Sequence, residues 1–162
     1  MPSRRATLTV AGLVAAVAVV ADQASKAWAQ ASLPAARTVT AITGLLWFRL
    51  AHNSGATLGI LSGHSQLVGA LSLIIVLAVA VLLVQGHPGG YLGAAALGAI
   101  AGGAAGNLLD RLRLGSVVDF IEIRVWPTDF NLADAAIRIG VVLFLAVLLA
   151  DLVRGRGASP AR

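Results

Sequence analysis

The chain has no cysteine among its 162 residues. Disulfides, thiolate metal sites and cysteine nucleophiles are therefore excluded. Charge is scarce too: 12% of residues are charged, where ordinary globular chains carry about 25%. The hydrophobic fraction is 58% and the mean hydropathy +0.88. That balance points to a membrane protein. The three histidines, His52, His64 and His87, make no His-Glu-x-x-His pattern, so a zinc protease of that kind is not supported. The net charge is +5 with the basic residues dispersed. No basic run is interleaved with aromatics, so no nucleic-acid partner is expected. The length suits a single domain, 1–162.

Four apolar segments stand out, at about 8–28, 67–84, 91–109 and 135–152. A bilayer core asks for roughly 17–25 apolar residues in a helix. The first segment reaches that length only by running past Asp22 and Lys26 towards Trp28. Two other readings of it exist. Arg4-Arg5, an apolar stretch and Ala27-Trp28-Ala29 resemble a cleavable signal peptide, although Asp22 and Lys26 fit poorly before such a cut. Ser3-Arg4-Arg5 is a short match to a twin-arginine signal. Flanking cytoplasmic arginines explain the same residues more simply. Leu67 to Val84 is uninterrupted, and Gln85 to Gly90 is rich in turn formers, so the third span returns antiparallel to the second. Arg138 interrupts the fourth span near its start, and the tail from Arg154 to Arg162 is expected to fray.

Four spans place both termini on one side. Arg4, Arg5, Arg154, Arg156 and Arg162 assign that side to the cytoplasm, although several basic residues also lie opposite. The two larger loops then face outward. In the first, Thr38 to Thr43 alternates and Leu46 to Leu50 is rich in strand formers, as is Val117 to Ile123 in the second. Trp28, Trp47 and Trp126 suit the water–lipid boundary. The expected fold is thus a membrane all-α bundle of four spans with a small extracytoplasmic β-cradle from the first outer loop.

Only seven residues are acidic, and five of them fall between Gly106 and Asp134. Ionisable groups in a membrane protein are costly and usually functional. The third span leads into this region with Ala94, Gly98, Gly102 and Gly106 at steps of four, a stripe that lets another backbone approach. Asn107, Asp110 and Arg111 cluster at its end. Asp119 sits in the strand-like segment and Asp134 opens the fourth span. Two neighbouring carboxyls tend to share a proton, one serving as base on a water and the other as acid. Such a pair hydrolyses amides without metal, serine or cysteine.

Blander roles compete. Asn131 fits a helix N-cap with Asp134 in the first turn. Asp134 could pair with Arg138 four residues on, and Asp110 with Arg111. Ser25-Lys26 is a poor serine–lysine dyad, because adjacent helical residues diverge. A proton-coupled transporter would be expected to carry its acids near the bilayer midplane, where these spans are clean. A structural adaptor would use the glycine stripe as a dimer face.

Four blocks, taken together, resemble the bacterial lipoprotein signal peptidases, signal peptidase II. They are Asn53 to Gly59, Gly102 to Arg111, Val117 to Phe120 and Phe130 to Asp134. The resemblance implies a multi-pass aspartic endopeptidase of the bacterial cytoplasmic membrane, with its site near the extracytoplasmic face and no cofactor. Its substrate class is prolipoproteins with a diacylglyceryl-modified cysteine, cut just before that residue. By position, Asp119 and Asp134 match the catalytic dyad. Asn53, Asn107, Asp110, Arg111 and Asn131 match supporting and substrate-binding residues, and Asp22 and Lys26 match polar positions near the end of the first span. Membrane lipid and prolipoprotein are the expected partners, and a monomer the expected state. Thr57-Leu58 stand where many members place an aromatic, and Arg138 lies outside the family pattern.

Overall fold

Ser3 starts the first helix, its hydroxyl accepting from the Ala6 amide at 3.3 Å. In this computed structural model, which describes residues 2–34, 37–55, 61, 63–86 and 89–157, that helix is α1, Arg4–Ser32. It is followed by strands β1 (Val39–Ile42) and β2 (Leu46–Asn53), helices α2 (Ser65–Gln85) and α3 (Gly90–Leu114), strand β3 (Val117–Ile123) and helix α4 (Leu132–Gly157). All four helices are long and apolar enough to cross a membrane. Residues Thr57 and Leu58, part of the turn before Gly89, and the tail after Gly157 lie outside the described residues.

The helix in the middle is α3. In its most apolar stretch 61% is buried, against 11% in α4. Composition explains the difference. α3 is built from glycine and alanine, which allow close approach, while α2 and α4 present leucine, isoleucine and valine outward. Gly98 and Gly102 lie against the α1 backbone at Ala11 and Ala15, and a Cβ on Gly102 would stand 2.6 Å from the Ala15 carbonyl oxygen. The stripe read from the sequence is thus a packing face for α1. On another face of α3, Gly103 abuts the Ala133 carbonyl of α4.

The helices outrun the apolar segments. α3 continues past Leu109 through Asp110 and Arg111 to Leu114, and α4 begins at Leu132. Hydropathy detects only the lipid-matched part of a helix. The polar ends stay helical because their side chains find partners inside the bundle. Gly115, at φ 72°, closes α3 with its amide bonded to the Arg111 carbonyl and turns the chain into β3.

The sheet is antiparallel in the order β1-β2-β3. The first loop supplies two strands as expected, and the second loop adds the third. β2 pairs with β3 from Leu46↔Ile123 to Asn53↔Val117, with an irregularity between Phe48 and Ala51. This register puts Asn53 and Asp119 at one end of the sheet. An aromatic cluster docks the sheet on the end of α1. Trp28 meets Phe48 edge-on at 5.6 Å and Phe120 at 6.1 Å, over buried Ala29 and Leu33.

Candidate active site

Two carboxylate clusters lie side by side where the sheet meets the bundle. The first is centred on Lys26, which is 2% exposed. Its ammonium touches Asp22 at 2.8 Å, Asp110 at 2.8 Å and the Asn107 side-chain oxygen at 3.0 Å. All three ammonium protons therefore have acceptors. One cation faces two buried carboxylates, so the remaining negative charge must be met by hydrogen-bond donors. The Ala133 amide donates to Asp22 at 2.9 Å, and the Val118 amide to Asp110 at 3.1 Å. Ala133 lies in the first turn of α4, where the helix dipole favours an anion. Gln23 closes the cluster, its side-chain NH2 lying 2.9 Å from Asp110, 3.2 Å from Asp22 and 3.3 Å from the Gly106 carbonyl. Gln23 was not among the residues expected from the sequence. The available signal was its place beside Asp22, with Lys26 one turn further along α1.

The second cluster holds Asp119 and Asp134. Asp119 is 2% exposed and lies on β3, outside the spans. It accepts from Asn131 at 2.6 Å and from Asn53 at 3.0 Å. Both donors are neutral amides. Asp134 accepts from the Asn107 side chain at 2.8 Å. A chain of amides links the two acids, because the Asn131 side chain also donates to the Asn107 oxygen at 3.2 Å. Burial pushes the Asp119 carboxyl up to about 7, and repulsion from Asp134 adds to the rise. The two amide donors oppose that rise without cancelling it.

Local sequence sets these positions. Asn131 precedes α4 and caps it, its side-chain oxygen accepting from the Asp134 amide at 2.9 Å. The cap and the site are therefore one residue: oxygen to the helix, nitrogen to Asp119. Backbone pairing of Phe130 with Ile121 holds Asn131 beside β3. Asn53 is fixed in turn by the Gly55 amide, which donates to its oxygen at 2.9 Å. Arg111 donates to the Gly55 carbonyl at 2.9 Å and to the Asn107 carbonyl at 3.3 Å, tying the end of the first loop to α3.

Two pairings expected from spacing are corrected. Asp110 binds Lys26 rather than Arg111, because its side chain points into the bundle towards α1. Arg138 forms no ion pair with Asp134. Its guanidinium instead lies 4.5 Å from the Trp126 ring centre and 5.3 Å from that of Phe130. Lys26 is occupied by two carboxylates, and Ser25 donates to the Asp22 carbonyl at 2.8 Å, so the pair is no serine–lysine dyad. Among the described residues, no three His, Cys, Asp or Glu converge as a metal site. His52 sits near Ser116 at 3.4 Å instead.

A cleft of about 300 Å³ opens beside Asp119, lined by Ala51, His52, Asn53, Ser54, Thr128 and Asp129. Asp119 thus faces a space of its own, whereas Asp22 and Asp110 are enclosed. Chemically, the second cluster can bind a water, hold one proton and exchange another.

The chain is similar to known proteins over most of its length. A family profile described as signal peptidase (SPase) II matches residues 14–150. A lipoprotein signal peptidase from Syntrophomonas wolfei is 40% identical over 133 residues, covering 82% of this chain and 88% of that protein. One from Pelotomaculum thermopropionicum is 37% identical, covering 86% and 91%. A solved bacterial membrane enzyme superposes with a TM-score of 0.84 at 28% identity, covering 94% of each chain. A second gives 0.78 at 30% identity, covering 87% of this chain and 93% of that one. With its four spans, three-stranded sheet and near full-length match, this chain belongs to the signal peptidase II family of multi-pass bacterial membrane peptidases.

Proposed function

We propose that the chain is an aspartic endopeptidase that removes the signal peptide from diacylglyceryl-modified prolipoproteins. It cuts the amide bond just before the lipidated cysteine. The observation that carries this reading is the second cluster: two carboxyls, joined through Asn131 and Asn107, held by amides without an ion-paired cation. Asp119, pushed up to about 7, holds the shared proton. Asp134, only partly buried, takes a proton from the attacking water. Water adds to the scissile carbonyl as Asp119 gives its proton to the developing oxyanion. Collapse of the tetrahedral intermediate breaks the C–N bond, and a proton passes to the departing amine. The products are a signal peptide with a new carboxylate and a lipoprotein with a free cysteine α-amino group.

Asn53, Asn131 and Asn107 orient the two acids, and Arg111 braces Gly55 beside them. Asp22, Lys26 and Asp110 hold α1, α3 and the start of α4 together behind the dyad. The relatives' shared name, lipoprotein signal peptidase, supports the substrate class. In this reading residues 1–162 are a single peptidase domain working as a monomer. Both termini are cytoplasmic, and the sheet and dyad lie at the outer face. The lipid chains of the substrate approach between spans, while water enters from the sheet side.

The test is cleavage by purified enzyme of matched peptides with and without the diacylglyceryl group. Only the lipidated peptide should be cut, immediately before its cysteine. Equal cutting of both peptides would overturn the substrate reading, and full activity of Asp119→Asn or Asp134→Asn would overturn the dyad. A reporter fused after Arg162 should be active only in the cytoplasm, and activity outside would reverse the orientation.

A further inference from the structure

Arg138 is the one cation of α4 that lies one turn from the dyad, and nothing in the mechanism uses it. Its guanidinium stacks on two rings of the loop before the helix, Trp126 at 4.5 Å and Phe130 at 5.3 Å. Stacking occupies the face of a guanidinium and leaves its in-plane N–H donors free. Among the described residues no carboxylate or carbonyl accepts from them. Three arginines near the site are engaged, Arg111 by carbonyls, Arg113 by Gln23 and Arg49 by Asp129, while Arg124, just past β3, is exposed.

The surroundings state what would meet those donors. Side chains of a helix lean towards its N-terminus, so Arg138 reaches back to the sheet end, the end of α4 where the lipid headgroups lie. Trp126 is 41% exposed, as suits a ring at the headgroup boundary. A guanidinium left without acceptors at that depth is costly. The abundant anion there is the phosphodiester of phospholipid, which matches the guanidinium fork with two parallel hydrogen bonds.

We propose that Arg138, held flat on Trp126 and Phe130, binds the phosphate of a membrane phospholipid at the rim of the active site. A diacylglyceryl thioether carries no phosphate, so the occupant is bulk lipid rather than substrate. The bound headgroup pins the Trp126–Phe130 segment, whose next residue, Asn131, grips Asp119. The site stands on the stacked geometry and holds whether or not the proposed cleavage reaction is right.

Native mass spectrometry of the full-length protein tests it, with phosphatidylglycerol and a phosphate-free glycosyl diacylglycerol of the same acyl chains as probes. Wild type should retain phosphatidylglycerol in preference to the glycolipid. Arg138→Gln should weaken that retention about tenfold, the loss of one charged, bidentate contact, and leave glycolipid retention unchanged. Arg138→Lys should lose most of the preference as well, because an ammonium is a point charge without the planar fork. Trp126→Ala, which removes the platform and keeps the charge, should fall between, and it carries the test should Arg138→Gln lose its helical circular-dichroism signal. Equal phosphatidylglycerol retention by wild type and Arg138→Gln would overturn the proposal. So would equal retention of the two lipids by wild type, or binding of inorganic phosphate as tight as that of phosphatidylglycerol.

Discussion

The two carboxylate clusters share a neighbourhood and differ in one component. Around Asp22 and Asp110 a buried lysine sits at 2.8 Å from each. Around Asp119 and Asp134 the same service is given by asparagine side chains. A cation at contact distance gives a carboxylate a charge partner, whereas a neutral amide orients it without supplying one. The first cluster therefore ties helices together. In the second, burial pushes the Asp119 carboxyl up to about 7. Asn107 touches both, its oxygen on Lys26 and its nitrogen on Asp134, so the first cluster helps position the second.

The contrast breaks most severely at the proposed dyad. Asp119→Asn or Asp134→Asn should each lower the cleavage rate by about 10²–10⁴-fold, the range of a general acid or base, with circular dichroism unchanged. Asp110→Asn should not act as part of the proton relay. Its pH–rate profile should keep the wild-type shape even if the rate falls.

In the first cluster the expected loss is stability. Lys26→Met leaves two buried carboxylates uncompensated and should cost about 3–5 kcal/mol, read as a lower unfolding temperature in detergent. Adding Asp22→Asn and Asp110→Asn to Lys26→Met should recover much of it. No recovery would mean that the lysine acts through packing rather than charge.

Asp119 itself supplies a test by pH. The Asp119 carboxyl lies at about 7 in the folded protein against 3.8 as the ordinary value. Its stabilising contribution is present in full below about 3.8 and is lost as the pH rises through about 7. Activity that needs its proton should fall over the same upper limb. Asn53→Ala removes a bond that favours the charged form, so the limb should move to higher pH. A downward shift would contradict the assignment of the proton to Asp119.

Smaller effects lie away from both clusters. Gly102→Val drives a side chain into the Ala15 carbonyl and should cost about 1–3 kcal/mol by forcing α1 and α3 apart. Arg49→Gln breaks the bond to Asp129 at the half-exposed edge of the sheet and should change stability by about 0–1 kcal/mol.

Much of this was readable from residue order. Apolar runs located the spans, the glycine stripe marked a close-packing face of α3, and the concentration of acids marked where the two carboxylate clusters lie. Asn131 and Asp134 were legible as helix cap and first turn because capping is local. What local spacing could not supply was choice of partner. Lys26 and Asp110 are brought together only by the α1–α3 crossing, so Asp110 looked like a mate for adjacent Arg111. Arg138 stood at the right interval for Asp134, yet the loop carried two aromatic rings to it instead. The third strand was visible as a run of strand formers, but its membership in the first loop's sheet depends on a long-range pairing.

The double engagement of Asn131 makes that position unusually intolerant. Several residues can begin a helix, among them serine, threonine and aspartate. Ionised aspartate would cap α4 but has no proton to offer Asp119, and would add a third carboxyl to the pair. Serine has a donor, but its shorter side chain cannot serve Asp119 and the helix amide at once. Glutamine carries the same amide group one methylene further out, displaced from both partners. Helix initiation alone admits a choice at this site, and the adjoining carboxyl removes it.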